Sequence, residues 1–191
     1  MKKDLGAKVL LYPEPVMVIG TYDEDGETPN AMDVAWGGQS WSRQVSLNIS
    51  MRHKTTDNIK LHREFTLMPA DTAHITETDY LGIVSGKKVP DKIARAGLHT
   101  QRSAAVNAPE IIEYPLVMAC KVVEMREEFD HLHIVADVVA AHADESILDD
   151  DGHVDVAKLR PLSYSEDPLQ YHALDGRGLG RVYTVGKALA K

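Results

Sequence analysis

The sequence predicts a mainly β protein, an antiparallel β-barrel with short inserted helices. About six segments have the composition of strands, and short turn sequences separate most successive pairs, as in hairpins. The alternation of strands and helices that a doubly wound parallel sheet requires does not occur in the pattern. We therefore expect one domain over residues 1–191, with its core between about residues 10 and 175.

Composition and charge restrict the classes of partner. The 191 residues carry a formal net charge of −8, and 43% of them are hydrophobic. Negative charge disfavours nucleic acids and anionic membranes, so we expect neither as a partner. The single cysteine, Cys120, excludes an intrachain disulfide and a cysteine-based metal site. No signal-peptide pattern or membrane-spanning apolar run occurs, and we expect a cytoplasmic location.

The first two strands are predicted to form a hairpin. Val16–Tyr22 is a nearly continuous apolar run, typical of a buried strand, and Asn30–Trp36 follows as the second strand. The turn sequence Asp23–Gly26 lies between them. Gly37–Ser40 then predicts a flexible loop flanked by the two tryptophans of the chain. Their rings could line a flat ligand or belong to the core or an interface.

The stretch Val45–Ile59 changes from strand to helix periodicity. Apolar and polar residues alternate over its first seven positions, which predicts a half-buried strand. Arg52 and Lys54 then lead into residues suited to a helix N-cap, and we expect a helix from about Thr56 to Arg63. A helix N-terminus beside two basic side chains is a candidate anion site. An ordinary capped helix with solvated basic residues is the alternative.

The middle of the chain predicts shorter elements. Glu64–Ala70 is a strand that ends at a proline, and His74–Ser85 has helical periodicity. Pro90–Ala96 predicts a second short helix with proline in its first turn. Leu98–Pro109 has no clear period, and we expect an exposed excursion there.

The last third predicts a long hairpin. Leu116–Glu127 and Leu132–Ala143 form its two strands, and Pro161–Tyr164 is a last extended piece. His131 and His133 share a strand face, as metal ligands can. The other histidines are scattered, and no helical ligand spacing occurs, so we predict no metal site.

Several short stretches match, in order and spacing, the pattern of a known family. They are Tyr12–Pro15, Gly26 with Asn30–Met32 and Trp36, Arg52–Ile59, Ser85–Gly86 with Asp91–Lys92, Asp130–His131, and Pro161–Leu162 with Tyr171. With these stretches the chain resembles the flavin reductase-like family, and more closely its flavoredoxin branch. The resemblance implies a split β-barrel that binds FMN non-covalently, with the flavin ring near the interface of a homodimer.

The resemblance also implies the residues that bind FMN. Those implied for the phosphate and ribityl chain are Arg52, Lys54, Thr55 and Thr56. Those implied along the ring are Asn30, Ala31, Trp36, Gly37 and Gly38. Ser50, Asn58 and Ser85 complete the implied set, with Lys92 as a second cation near the phosphate or the ring edge. A solvated helix charge is the alternative for Lys92.

One residue is implied to be catalytic. Reductases of this family carry a Gly-Asp-His motif, and this chain has Phe129-Asp130-His131 instead. The resemblance implies that His131 lies by the nicotinamide of NADH or NADPH. Phe129 in place of glycine could obstruct that position. The chain also has Arg43-Gln44 where many relatives have a Pro-Pro pair beside the flavin ring.

Two functions follow from the resemblance. The first is an FMN-dependent oxidoreductase that takes a hydride from NADH or NADPH, or electrons from a redox partner protein. The alternative is a flavoredoxin-like electron carrier without NAD(P)H reductase activity of its own. A purely structural barrel would leave the basic turn unexplained.

Overall fold

The computed structural model describes residues 1–190, which form twelve strands and four α-helices. In chain order these are β1 (Glu14–Pro15), β2 (Met17–Tyr22), β3 (Pro29–Val34), β4 (Gly37–Trp41), β5 (Gln44–Ser50), α1 (Lys54–His62), β6 (Glu64–Pro69), α2 (Ile75–Ile83), α3 (Lys92–Arg95), β7 (Thr100–Arg102), β8 (Pro109–Ile111), β9 (Leu116–Glu128), β10 (His131–Ala143), α4 (Val156–Leu159), β11 (Leu162–Glu166) and β12 (Leu169–Ala173). Short 3₁₀ turns at Thr72–His74, Glu145–Ile147 and Val185–Leu189 complete the elements. No helix of the described residues is long and apolar enough to cross a membrane.

Seven strands form one antiparallel sheet in the order β3-β2-β6-β9-β10-β5-β4. Apolar residues from β2 and β3, at one end of this order, share a core with residues from β5, near the other end. The sheet must therefore curl around that core, while its edge strands β3 and β4 do not pair with each other. This is the predicted β-barrel, split between β3 and β4.

A second layer explains why β2 is apolar on both faces. Met17 and Ile19 lie in the core inside the barrel, whereas Val18 packs outside it. The outer core also includes Leu81 of α2 and Ile93 of α3. All six residues of β2 are consequently buried, as its continuous apolar run predicts.

The long hairpin is confirmed with small changes in its bounds. β9 and β10 pair along their lengths, with two register shifts between Leu116 and Glu128. At its tip Phe129 has φ 52°, in the left-handed region that glycine adopts without steric cost. The Phe129 side chain is fully exposed, so it does not fill the space beside His131.

Three expectations were wrong. Gly37–Ser40 is part of an edge strand rather than a loop, because β4 pairs with β5 through Gly37, Gly38 and Gln39. Leu98–Pro109 is not an exposed excursion, because β7 and β8 form a small hairpin and Leu98 and Val106 are buried. The expected count of about six strands was too low, because β1, β4, β7, β8 and β12 were not predicted, whereas β11 matches the extended piece expected at Pro161–Tyr164.

Candidate functional site

The N-terminus of α1 is open to a ligand. The helix begins at Lys54, two residues earlier than expected, and its N-cap is His53 rather than one of the threonines. No side chain among the described residues accepts a hydrogen bond from its first N–H groups. Unsatisfied N–H groups and the helix dipole favour an anion at this end.

A cavity of about 240 Å³ lies beside this helix end, and we call it the polar cavity. It is lined mainly by Asn30, Asp33, His53, Lys54, Thr55, Ser85, Gly86 and Lys92, with apolar residues of α2. Strand β3, the start of α1, the end of α2 and the start of α3 therefore meet here. The cavity brings together five residues that the resemblance implied on separate stretches of the chain: Asn30, Lys54, Thr55, Ser85 and Lys92.

Lys92 is a buried cation in the wall of the polar cavity. Its side chain is 2% exposed, which excludes the solvated helix charge. The ammonium donates to the carbonyl oxygens of Leu81, at 2.7 Å, and Val84, at 2.8 Å, near the C-terminus of α2. Burial lowers the pKa of Lys92 to about 8, although nearby Asp33 favours the charged form. The third ammonium proton is available to a ligand.

Asn30 and Thr55 form a buried polar pair at the back of the cavity. The Asn30 amide donates to the Thr55 hydroxyl oxygen at 2.9 Å and to Thr21 at 3.3 Å. Thr55 accepts this bond, so its own hydroxyl proton remains free for an acceptor in the cavity. Gly86 lies so close that a Cβ there would overlap the Asn30 side chain. The backbone at Gly86 thus forms a close-fitting cavity wall.

Other implied cofactor residues have structural roles. The Thr56 hydroxyl donates to the Ser50 carbonyl at 2.6 Å, which ties the start of α1 to β5. The Asn58 amide donates to Thr21 and Asp23. Both Thr56 and Asn58 are buried. The structure therefore places them behind the cavity surface rather than on it.

The two basic residues of the turn differ in their surroundings. The Lys54 ammonium pairs with the Asp23 carboxylate, and both side chains are largely buried. Arg52 is exposed, and no carboxylate of the described residues pairs with its guanidinium. Arg52 therefore keeps its full charge available near the helix end.

A second recess adjoins the polar cavity, and we call it the aromatic cleft. It has a volume of about 210 Å³ and is lined by Val16, Asp33, Val34, Ala35, Trp36, Tyr164 and Tyr171. Asp33 lines both spaces, which makes them neighbours across one side chain. An open cleft with aromatic walls suits a flat ring system, and the polar cavity suits its anionic tail.

His131 lies at the rim of this cleft. Its ring centroid is 5.6 Å from that of Trp36. Its Nδ1 is 2.7 Å from the Asp130 carboxylate, which orients the imidazole. Trp36 itself is 48% exposed, so an aromatic surface remains open beside His131.

The remaining implied residues lie away from both spaces. The Ala31 side chain packs in the outer core, and a side chain at Gly37 would overlap Leu47. Gly38 lines a separate apolar groove of about 580 Å³ with Trp41, Val139 and other residues of β4, β5 and β10. Of these three residues, only Gly38 lines a cavity.

Sequence reasoning missed Asp33 and Tyr164 as site residues. Asp33 is the one charged residue within β3, and this polar position in an apolar strand was an available signal. Burial raises its pKa to about 6, and the neighbouring Asp79 acts in the same direction. Tyr164 comes from β11 in a different sheet, and no local pattern predicts that placement.

Comparison with known proteins agrees with this geometry. The family model described as flavin reductase like domain matches residues 9–173. The uncharacterized protein YdfE of Bacillus subtilis (strain 168) is 24% identical over 199 residues, covering 95% of this chain and 93% of that protein.

Solved structures agree as well. Flavoredoxin of Desulfovibrio vulgaris (Miyazaki F) superposes with a TM-score of 0.91 and 32% identity, covering 97% of this chain and all of that one. Flavoredoxin from Methanosarcina acetivorans superposes with a TM-score of 0.88 and 25% identity, covering 99% of each chain. The family match over most of the chain, with this fold, shows that the protein belongs to the flavin reductase-like family and is similar within it to flavoredoxins.

Proposed function

We propose that this protein is an FMN-dependent oxidoreductase that accepts a hydride from NADH or NADPH and passes the electrons on. The observation that carries the proposal is the joining of the polar cavity at the α1 N-terminus to the aromatic cleft. One space suits a phosphate and the other a flat ring. Membership of a family described as flavin reductase-like supports the same cofactor.

The donor set of the two spaces fits FMN. The first N–H groups of α1 and the free proton of Thr55 suit a phosphate in the polar cavity. Arg52 lies outside the cavity lining, two residues before the helix, and its exposed charge would add attraction for the anion. Lys92 would offer one ammonium proton to a ligand atom in the polar cavity, near the phosphate or the ring edge, and its burial would make that bond stronger than in water. Trp36 and Tyr164 supply aromatic surface.

FMN would supply the redox chemistry, and the protein binds it and adjusts its reactivity. The Lys92 cation favours negative charge nearby and so stabilises an electron-rich ligand. His131 and Trp36 present a surface at the rim where a nicotinamide could be oriented. No nucleophilic side chain is needed for hydride transfer.

A flavoredoxin-like electron carrier is the second candidate. The similarity to two flavoredoxins over nearly the whole chain favours it. In that case a redox partner protein, rather than NADH or NADPH, would deliver and remove the electrons. The two candidates share the cofactor and differ in the electron donor.

The absorption spectrum of the purified protein, followed by anaerobic titration with NADH and NADPH, separates these functions. We expect a flavin spectrum that either nucleotide bleaches. A flavin spectrum that neither nucleotide changes would support the carrier. A protein that cannot be reconstituted with FMN would contradict both.

Replacing His131 by alanine tests its proposed role. We expect slower flavin reduction by NADH or NADPH with nearly unchanged FMN affinity, because the imidazole would orient the donor. Phe129→Gly is the matched variant at the same turn, and the outward Phe129 side chain predicts little change in reduction rate. Stopped-flow absorbance measures both. A His131→Ala protein that is reduced as fast as wild type would contradict the role of His131 and favour the carrier.

We also infer that the protein is a cytoplasmic homodimer. The apolar groove beside Trp41, a side chain that is 72% exposed, supports an interface there. We expect sedimentation equilibrium to give twice the chain mass and Trp41→Glu to shift the protein towards monomer, because a charge would be buried. A wild-type monomer that retains FMN would contradict this inference.

A further inference from the structure

A half-buried carboxyl group, that of Asp33, lies between the polar cavity and the aromatic cleft and lines both. Asp33 of β3 packs so closely on α2 that a Cβ at Gly82 would overlap its carboxylate. Its Oδ2 is 3.5 Å from the Tyr171 hydroxyl of β12. That hydroxyl is 3.1 Å from Oδ1 of Asp79 on α2. Asp79 is exposed, so the three side chains form a line from the cavity wall to solvent.

Three elements bring charged or titratable groups to Asp33: α2 brings Asp79, α3 brings Lys92 and β12 brings Tyr171. Burial is the main cause of its raised pKa, and Asp79 adds to it. Lys92 from α3 and the Tyr171 hydroxyl act in the opposite direction, and Tyr114 is a more distant neighbour. The result is a pKa of about 6, so Asp33 exchanges its proton near neutral pH.

The Tyr171 hydroxyl can satisfy Asp33 in either protonation state. A tyrosine has one hydroxyl proton and can donate it to only one of two carboxylates at a time. If Asp33 is protonated, it donates to Tyr171 while Tyr171 donates to Asp79, and every group is satisfied. Burial and the two carboxylates raise the pKa of Tyr171, so its hydroxyl remains neutral and can both accept and donate.

We propose that Asp33 is the proton donor of the cleft and that Tyr171 and Asp79 return its proton from solvent. This proposal rests on the proposed function. A redox group that receives electrons without a proton must take that proton from another source, and Asp33 is that source in the cleft. The Asp33 O–H bond breaks as the proton bonds to the electron-rich group in the cleft. Asp79 takes a proton from solvent, and Tyr171 then passes its own hydroxyl proton to Asp33 as it accepts that proton from Asp79. One proton enters from solvent for each one delivered, and no electrons move along the line.

The first test needs no turnover and no cofactor. Carboxyl ¹³C chemical shifts followed against pH in the purified protein report the ionisation of Asp33. We expect a pKa near 6, raised further in Tyr171→Phe and lowered in Asp79→Asn, because those neighbours act in opposite directions. Titration of Asp33 at the ordinary aspartate value of about 3.9 would overturn the proposal.

The second test uses the FMN-loaded protein. The midpoint potential of wild type, plotted against pH, should show an inflection near the Asp33 pKa, and Asp33→Asn should remove it. Reduction by a photochemical one-electron donor should slow by about tenfold or more in Asp33→Asn. Tyr171→Phe should retain the inflection of the midpoint potential but slow flavin reduction. The ratio of the reduction rates in H₂O and D₂O should be larger in this variant than in wild type.

The controls lie on the same helix as Asp79. Glu77→Gln removes a carboxylate of α2 and Tyr80→Phe removes a hydroxyl of α2, and we expect wild-type rates and potentials from both. An Asp33→Asn protein with the wild-type inflection and rate would overturn the proposal while leaving FMN binding intact. A protein that binds no FMN would instead contradict the proposed function, and the ¹³C titration would still test Asp33.

Discussion

Asp33→Asn should raise the free energy of unfolding at pH 7 by about 2–3 kcal/mol. The Asp33 pKa of about 6 in the fold lies above the ordinary value of about 3.9 in an unfolded chain. The folded protein therefore binds the proton more tightly than the unfolded chain, and its stability falls as pH rises from about 4 to about 6. Asparagine is nearly isosteric and stays neutral, so it avoids this loss.

Urea unfolding of the FMN-free protein at pH 4 and pH 7 measures this effect. The variant should exceed wild type at pH 7 and approach it at pH 4, where both side chains are neutral. Asp150→Asn, in an exposed turn, is the matched control and should leave stability unchanged at both values. Equal stabilities of Asp33→Asn and wild type at pH 7 would show that Asp33 ionises without cost.

The stability cost of Asp33 is informative about function. A half-buried carboxylate that destabilises the fold is typical of residues retained for chemistry rather than for folding. The neighbouring Lys92 is similar, because burial disfavours its charged form. Two opposite charges that each oppose folding therefore lie at the junction of the polar cavity and the aromatic cleft.

Strong periodicity predicted the barrel strands well. β2 is a continuous apolar run because both of its faces are buried, and β10 alternates over a long length. β4 was missed because Gly37 and Gly38 carry no side chains to show a period, and its pairing is set by β5. β12 was missed because its residues are mostly exposed and only its pairing with β11 makes it a strand.

Local sequence patterns predicted only part of the candidate site, because they carry no information about contacts between distant parts of the chain. The anion site at α1 follows from local sequence, since a turn and a helix start are adjacent in the chain. The roles of Asp33 and Tyr171 depend on contacts between β3, α2 and β12, which are far apart in sequence. The burial of Lys92 likewise depends on the carbonyls at the end of α2. Such long-range contacts leave little local signal.

Arg52→Ala should weaken FMN binding by about 1.5–3 kcal/mol, an increase in Kd of about 10- to 150-fold. The phosphate of FMN is a dianion, and charge-assisted bonds to arginine are strong. Lys54→Ala should have a smaller effect, because Asp23 already neutralises the Lys54 ammonium. The loss for Arg52→Ala should also shrink as salt is added, since exposed charges are screened.

Riboflavin, which lacks the phosphate, provides the decisive comparison for Arg52. Flavin fluorescence titrations of the FMN-free protein should show nearly equal riboflavin affinity for wild type and Arg52→Ala. Arg177→Ala, an exposed arginine in the C-terminal segment, is the matched control and should bind both ligands as wild type does. If Arg52→Ala weakens riboflavin and FMN equally, then Arg52 acts through the shape of the turn, and the phosphate must be held by the helix N–H groups and Thr55 without it.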